Sequence, residues 1–203
     1  DTGAHVRIQH VSTARADQLI REAKQRGVRV TAEAAPHHFT LTDEAVLKWG
    51  SLAKVNPPLR TAADVEAIIT GLQDGTLDVI ATDHAPHTER EKASSLAEAP
   101  FGLLGMETAV GLVWTRLVHT GKLSQLEAVR KMSQNPAEVM NLPGGRVAEG
   151  EVADLTVINP QAEWTVDPKH FFSASRNTPF AGMHLKGKVK MTILAGEIVY
   201  RSM

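Results

Sequence analysis

A carboxylate and two imidazoles, Asp83, His84 and His87, follow directly on the apolar approach Val79-Ile80-Ala81-Thr82. Side chains of these types can hold a divalent cation, move a proton or grip an anionic substrate. Pro86 forbids simple continuation of a strand, and the charged run Glu89, Arg90, Glu91, Lys92 comes next. A carboxylate at the C-terminal end of a strand, with imidazoles in the loop beyond, is how parallel α/β folds display catalytic groups. Asp83 as a mere helix cap would leave the two imidazoles without a reason.

Two more polar clusters end predicted strands: His10 with Ser12 and Thr13, and the pair His37-His38. The chain has no cysteine, so any metal must be held by imidazole nitrogen and carboxylate oxygen, and His10 and Asp83 are the candidate ligands. Two ligands are too few for zinc, and no His-x-His pair or His-Glu-x-x-His helix supplies the rest. Adjacent His37 and His38 would point to opposite sides of an extended chain. At most one of them can face the site, and both are read as supporting or structural. In Asn56-Pro57-Pro58-Leu59-Arg60 the asparagine is a good substrate-orienting amide. His5, His119, His170 and His184 lie in ordinary surface or helical contexts.

The elements that must position these groups are legible from periodicity. Val6 to Val11 and Val28 to Ala35 read as strands, and Thr13 to Arg26 between them as a helix stopped by Gly27. A short helix is expected over Asp43 to Trp49, a longer one over Ala62 to Leu72, and a third strand over Leu77 to Thr82. A β-α-β-α-β order of this kind is right-handed and parallel, so its polar strand ends lie on one face. After a loop from Asp83 to about Gly105, helices follow around Glu107 to His119, Leu123 to Ser133 and on to Asn141. Met106, Val110, Val113 and Leu117 are their core stripe. Composition shifts at Leu142-Pro143-Gly144-Gly145. Beyond it Asp154 to Ile158, Glu163 to Val166 and Lys188 to Tyr200 read as short strands, with turns at Gly187 and Gly196. Two domains are expected, an α/β part over 1–142 and a small β-rich part over 143–203.

The 203 residues are 42% hydrophobic and 22% charged, enough for one sizeable core. A formal net charge of -1 gives no electrostatic reason to expect nucleic acid or an anionic membrane, so a small molecule is the default partner. No apolar run approaches the ~20 residues that span a bilayer, and a cytoplasmic location is expected. The chain starts without methionine, just ahead of a strand, and reads as the middle of a longer protein.

The run Ala81-Thr82-Asp83-His84-Ala85-Pro86-His87 with Glu91-Lys92 resembles the signature of dihydroorotases in the amidohydrolase superfamily. The likeness extends over nearly the whole chain. It includes His10-Val11-Ser12-Thr13, Thr31 to His38, Asn56-Pro57-Pro58-Leu59-Arg60, Pro100-Phe101-Gly102, Gly105-Met106-Glu107-Thr108, Arg176-Asn177-Thr178-Pro179-Phe180 and Gly187-Lys188-Val189. The resemblance implies the C-terminal part of a (β/α)₈ barrel, about strands six to eight, followed by a small β domain normally completed by the N-terminal segment. It implies reversible ring opening of L-dihydroorotate to N-carbamoyl-L-aspartate in pyrimidine synthesis. His10 would be a metal ligand, Asp83 a metal ligand and the catalytic proton shuttle, and Asn56, His87 and the backbone at Phe101 and Gly102 would hold substrate. Zinc is the implied cofactor, two ions in a complete site.

The family's His-x-His motif, its fourth-strand carboxylate or carboxylated lysine, its fifth-strand histidine and the first-half arginine and asparagine have no counterpart here. The expected partner is therefore the N-terminal half of the same protein, in the same or a separate chain, without which the fragment is expected to be inactive. A homo-oligomer or aspartate carbamoyltransferase is a further possible partner. Two other readings stand beside the enzyme: a non-catalytic dihydroorotase-like subunit, and an allantoinase or hydantoinase.

Overall fold

The computed structural model describes residues 2–202. Two sheets organise it. The first is parallel, with strands β1 (Val6–Ile8), β2 (Val30–Ala34) and β3 (Val79–Ile80) in the order β1-β2-β3. Val6 pairs with Val30, and Glu33 with Val79.

Helix α1 (Ala14–Gln25) makes the first crossover. Thr13 caps it by accepting from the Ala16 N–H at 3.1 Å, and Gly27 turns the chain out at φ 76°. After a 3₁₀ turn over Pro36–Phe39 and the short helix α2 (Ala45–Trp49), helix α3 (Ala62–Asp74) makes the second crossover. Thr61 caps its start and left-handed Gly75 its end. Buried Val65, Ile68, Ile69 and Leu72 face the sheet side of α3, the stripe that the 3.6-residue period demands. Gly71 brings α3 close to α1: a Cβ there would collide with the buried Asp17 carboxylate.

A one-turn helix α4 (Glu89–Lys92), fixed by a capping box between Thr88 and Glu91, sits in the loop after β3. Helix α5 (Met106–Val113) continues through a π-helical turn, Trp114–Val118. Helices α6 (Gln125–Val129) and α7 (Asn135–Met140) follow, with a second π-helical turn at Arg130–Gln134 between them. Strands β4 (Leu155–Thr165), β5 (His184–Leu194) and β6 (Glu197–Arg201) form an antiparallel sheet.

The chain divides into two compact units, one running to Ala109 and including Val166–Gly182, the other Val110–Thr165 with the chain from Met183. The composition break at 142–145 is therefore not where the units part; the helices after Val110 group with the antiparallel sheet. Three smaller expectations also change. The two strands expected from Asp154 to Ile158 and from Glu163 onward are one continuous β4, whose register shifts between Asn159 and Glu163 and so accommodates Pro160. Gly187, expected as a turn, lies inside β5 at φ 83°, where a Cβ would stand 2.5 Å from the Trp114 side chain; Trp164 Nε1 donates to its carbonyl at 3.0 Å. Met106 is 64% exposed and no part of a core stripe, while Val113 and Leu117 are fully buried. No helix among the described residues is long and apolar enough to cross a membrane.

Candidate active site

Each parallel strand delivers a ligand-type side chain just past its C-terminal end. His10 follows β1, His37 lies in the 3₁₀ turn after β2, and Asp83 follows β3. His10 Nε2 lies 3.6 Å from Asp83 Oδ1, and His37 Nε2 lies 3.7 Å from Asp83 Oδ2. Both spans are too long for hydrogen bonds. The backbone at His10 and Asp83 is left-handed, φ 54° and 47°. Such positions cost about 1–3 kcal/mol in a non-glycine residue and gather at functional sites.

Behind His10 stands Glu33, fully buried on β2 and ion-paired with Arg7. Its Oε1 is 3.1 Å from His10 Nδ1, within ion-pair reach without completing a hydrogen bond. Both nitrogens of His10 therefore face carboxylates. A divalent cation could be held between His10 Nε2 and Asp83 Oδ1. His37 Nε2, buried without a hydrogen-bond partner, is a further nitrogen turned to the same carboxylate. The residues present thus fit part of a metal site. Among the described residues no group of three or more His, Asp or Glu side chains is arranged to hold an ion.

Electrostatics follow from burial. The Asp83 carboxyl is pushed above its ordinary range by desolvation, with His10 opposing and Glu33 reinforcing the rise. Desolvation, aided by the neighbouring His38 and His10, drives His37 well below the usual histidine value, so it is neutral. His38 turns the other way, its Nε2 3.0 Å from the Pro57 carbonyl, and burial pulls it down to about 4. The two rings touch edge to face at 4.2 Å. Through Pro57, His38 anchors the turn that carries the exposed Asn56.

His87 sits further along the loop, its Nε2 2.9 Å from the Phe101 carbonyl. Gly102 is already engaged on both sides: its N–H donates to the Lys54 carbonyl at 2.9 Å, and its carbonyl accepts from Lys92 and Asn177. Any ligand contact from this segment must therefore use groups other than the Gly102 amide. Among the described residues no hydrogen bond or ion pair joins Asn56 or His87 to the His10–Asp83 pair; His10 and Asp83 are the two sequence candidates that face each other.

His37, expected in a supporting role, is the member of its pair that faces Asp83; Glu33, Lys92 and Asn177 do not stand out as site residues in the sequence. A lone carboxylate in the apolar strand Val30–Ala34 was the available signal for Glu33; Asn177 had none beyond its place in a shared motif.

The Amidohydrolase family profile matches residues 6–199. The chain belongs to the amidohydrolase family. Among members, it is 60% identical over 98% of its length to the dihydroorotase of Pelotomaculum thermopropionicum and 52% identical over 98% to that of Syntrophus aciditrophicus, covering 47% of each. The dihydroorotase of Clostridioides difficile is 51% identical over 99% of the chain. This amidohydrolase chain thus spans about half the length of the curated relatives it matches. In structure it superposes on the L-hydantoinase of Arthrobacter aurescens with a TM-score of 0.91 at 28% identity, covering 98% of this chain and 45% of that one. The D-hydantoinase of a Thermus species gives 0.92 at 27% identity, with the same coverage.

Proposed function

We propose that this chain is the C-terminal part of a dihydroorotase that interconverts L-dihydroorotate and N-carbamoyl-L-aspartate in the cytoplasm. The observation that carries the reading is the facing of His10 and Asp83 at 3.6 Å, beyond parallel strand ends, in a chain 60% identical to a dihydroorotase. In this reading β1, β2 and β3 are the sixth to eighth strands of a (β/α)₈ barrel, and β4 to β6 belong to a small β domain. The rest of the barrel and the remaining metal ligands come from an N-terminal half, on which activity depends.

His10 Nε2 and Asp83 Oδ1 would hold zinc, two ions in the complete site, with Glu33 behind His10 setting the imidazole's orientation. The chemistry that zinc supplies when bound is polarisation of the ring carbonyl and acidification of water. Asp83 takes the proton from the attacking water and delivers it to the ring nitrogen as the carbon–nitrogen bond breaks. In cyclisation the same proton moves in reverse. His37, neutral, faces the second oxygen of Asp83 without competing for the proton. Asn56, His87 and the backbone at Phe101 would hold the substrate, with Gly102 fixing the shape of that segment and His87 suited to a carboxylate.

The structural likeness to hydantoinases favours a second reading, a hydantoinase-type cyclic amidohydrolase. The test is a side-by-side assay of the full-length protein on dihydroorotate, hydantoin, dihydrouracil and allantoin, with metal content measured. Dihydroorotate should be turned over best. Preference for another ring overturns the assignment. Absence of bound metal, with no loss on Asp83→Asn, would support a non-catalytic subunit instead, such as one beside aspartate carbamoyltransferase.

A further inference from the structure

We propose that Asn177 is a positioning residue that locks the loop carrying His87 to the Phe101–Gly102 segment, with Lys92 as a second clamp. The inference rests on the functional reading above for its kinetic consequence, but not for its geometry.

Asn177 is buried and comes from a segment remote in sequence from both pieces it joins. Its Oδ1 accepts from the His87 N–H at 3.1 Å; its Nδ2 donates to the Ala85 carbonyl at 2.9 Å and to the Gly102 carbonyl at 3.3 Å. Its own carbonyl accepts from the Leu104 N–H at 3.0 Å. One side-chain amide thus serves backbone groups on both sides of the site, a task needing a donor and an acceptor on one short planar group. Aspartate lacks the donor, and alanine lacks both.

Lys92 acts on the same segment from below. It is buried, yet its Nζ donates to the Pro100 carbonyl at 3.0 Å and the Gly102 carbonyl at 2.9 Å. Burial and the nearby Lys54 charge pull its ammonium down to about 8, so the charge is kept there at a cost that the two carbonyls offset. Lys54 repeats the pattern one step upstream, donating to the Ala97 and Ala99 carbonyls at 3.0 and 2.6 Å and lying 4.5 Å over the Phe101 ring. The segment has no regular strand or helix of its own: these side chains hold it, along with single backbone bonds, Gly102 N–H to the Lys54 carbonyl and Ala85 N–H to the Leu103 carbonyl, both 2.9 Å. Gly102 completes the fit: at φ 128° a Cβ would stand 2.5 Å from the Ala85 Cβ.

The test uses the full-length protein with Asn177→Asp, Asn177→Ala, Lys92→Met and Lys92→Arg, read by steady-state kinetics, bound metal and hydrogen exchange. Asn177→Asp and Lys92→Met should raise KM for the ring substrate about tenfold or more while kcat stays within about threefold and bound metal is unchanged. Exchange in the 100–104 region should quicken about tenfold with the 62–74 helix unaffected, and Lys92→Arg should recover part of both effects. Unchanged exchange at 100–104 in both Asn177→Asp and Lys92→Met overturns the proposal. So does exchange that rises equally everywhere, or a loosened segment with unaltered KM. If the parent protein opens none of the rings, the dihydroorotase reading fails, and the exchange pattern alone then decides the lock.

Discussion

His10 and Asp83 face each other across 3.6 Å from two backbone positions that are both left-handed, at φ 54° and 47°. Asparagine tolerates such a backbone and β-branched residues do not. His10→Asn should therefore fold normally, its thermal midpoint within a few degrees of the parent, while cation affinity measured by equilibrium dialysis falls about tenfold or more. His10→Val should lose affinity and in addition about 1–3 kcal/mol of stability in chemical denaturation. Equal stability of the two variants would mean that the backbone there carries no strain.

Asp83→Asn keeps shape and hydrogen-bonding capacity but cannot accept and return a proton at the working pH. Turnover of the full-length protein should fall about 10²–10⁴-fold, with KM changed far less. A variant retaining more than about a tenth of the parent kcat would assign the proton transfer elsewhere.

Much of this pairing was legible beforehand, because ligand types at strand ends are written locally and the β-α-β-α-β period brings strand ends to one face. Glu33 was harder: in Val30–Ala34 it looks like one polar residue in a buried strand, and its meaning comes from His10 just beyond the neighbouring strand. Gly187 was misplaced because a positive φ serves a turn and a close approach equally well, and only the Trp114 side chain against it decides between them. Asn177 could not be read at all, since each group it joins is remote in sequence and hydrogen bonds of that kind leave no periodicity. A Gly/Pro-rich stretch such as 142–145 marks a loop but does not say which sheet the preceding helices group with, and the compact units part at Val110.

Glu33→Gln removes the charge behind His10 while preserving volume. Cation affinity should drop about 10–100-fold, the range seen when the orienting partner of a ligating imidazole is lost. Because Arg7 also leans on Glu33, a second variant, Arg7→Met, separates the effects: it should leave cation affinity within about threefold if His10 is the partner that matters. Equal losses in both variants would assign the effect to general disruption of the β1–β2 pair.

His38 gives the fold a directional dependence on acid. Its ordinary value of 6.5 falls to about 4 in the folded chain, because burial outweighs the hydrogen bond to the Pro57 carbonyl. Between those values the unfolded chain binds the proton and the folded chain does not, so stability is full above 6.5 and is lost as pH falls toward 4. The interval corresponds to roughly 3 kcal/mol for this one group. His37 is displaced in the same direction, so the slope should be steeper than one histidine alone gives. Urea midpoints measured from pH 7 to pH 4 should fall steadily in the parent. His38→Gln, which cannot protonate, should flatten part of that fall. A parent whose stability is level across this range, or a His38→Gln variant with the parent's slope, would remove His38 as the titrating group.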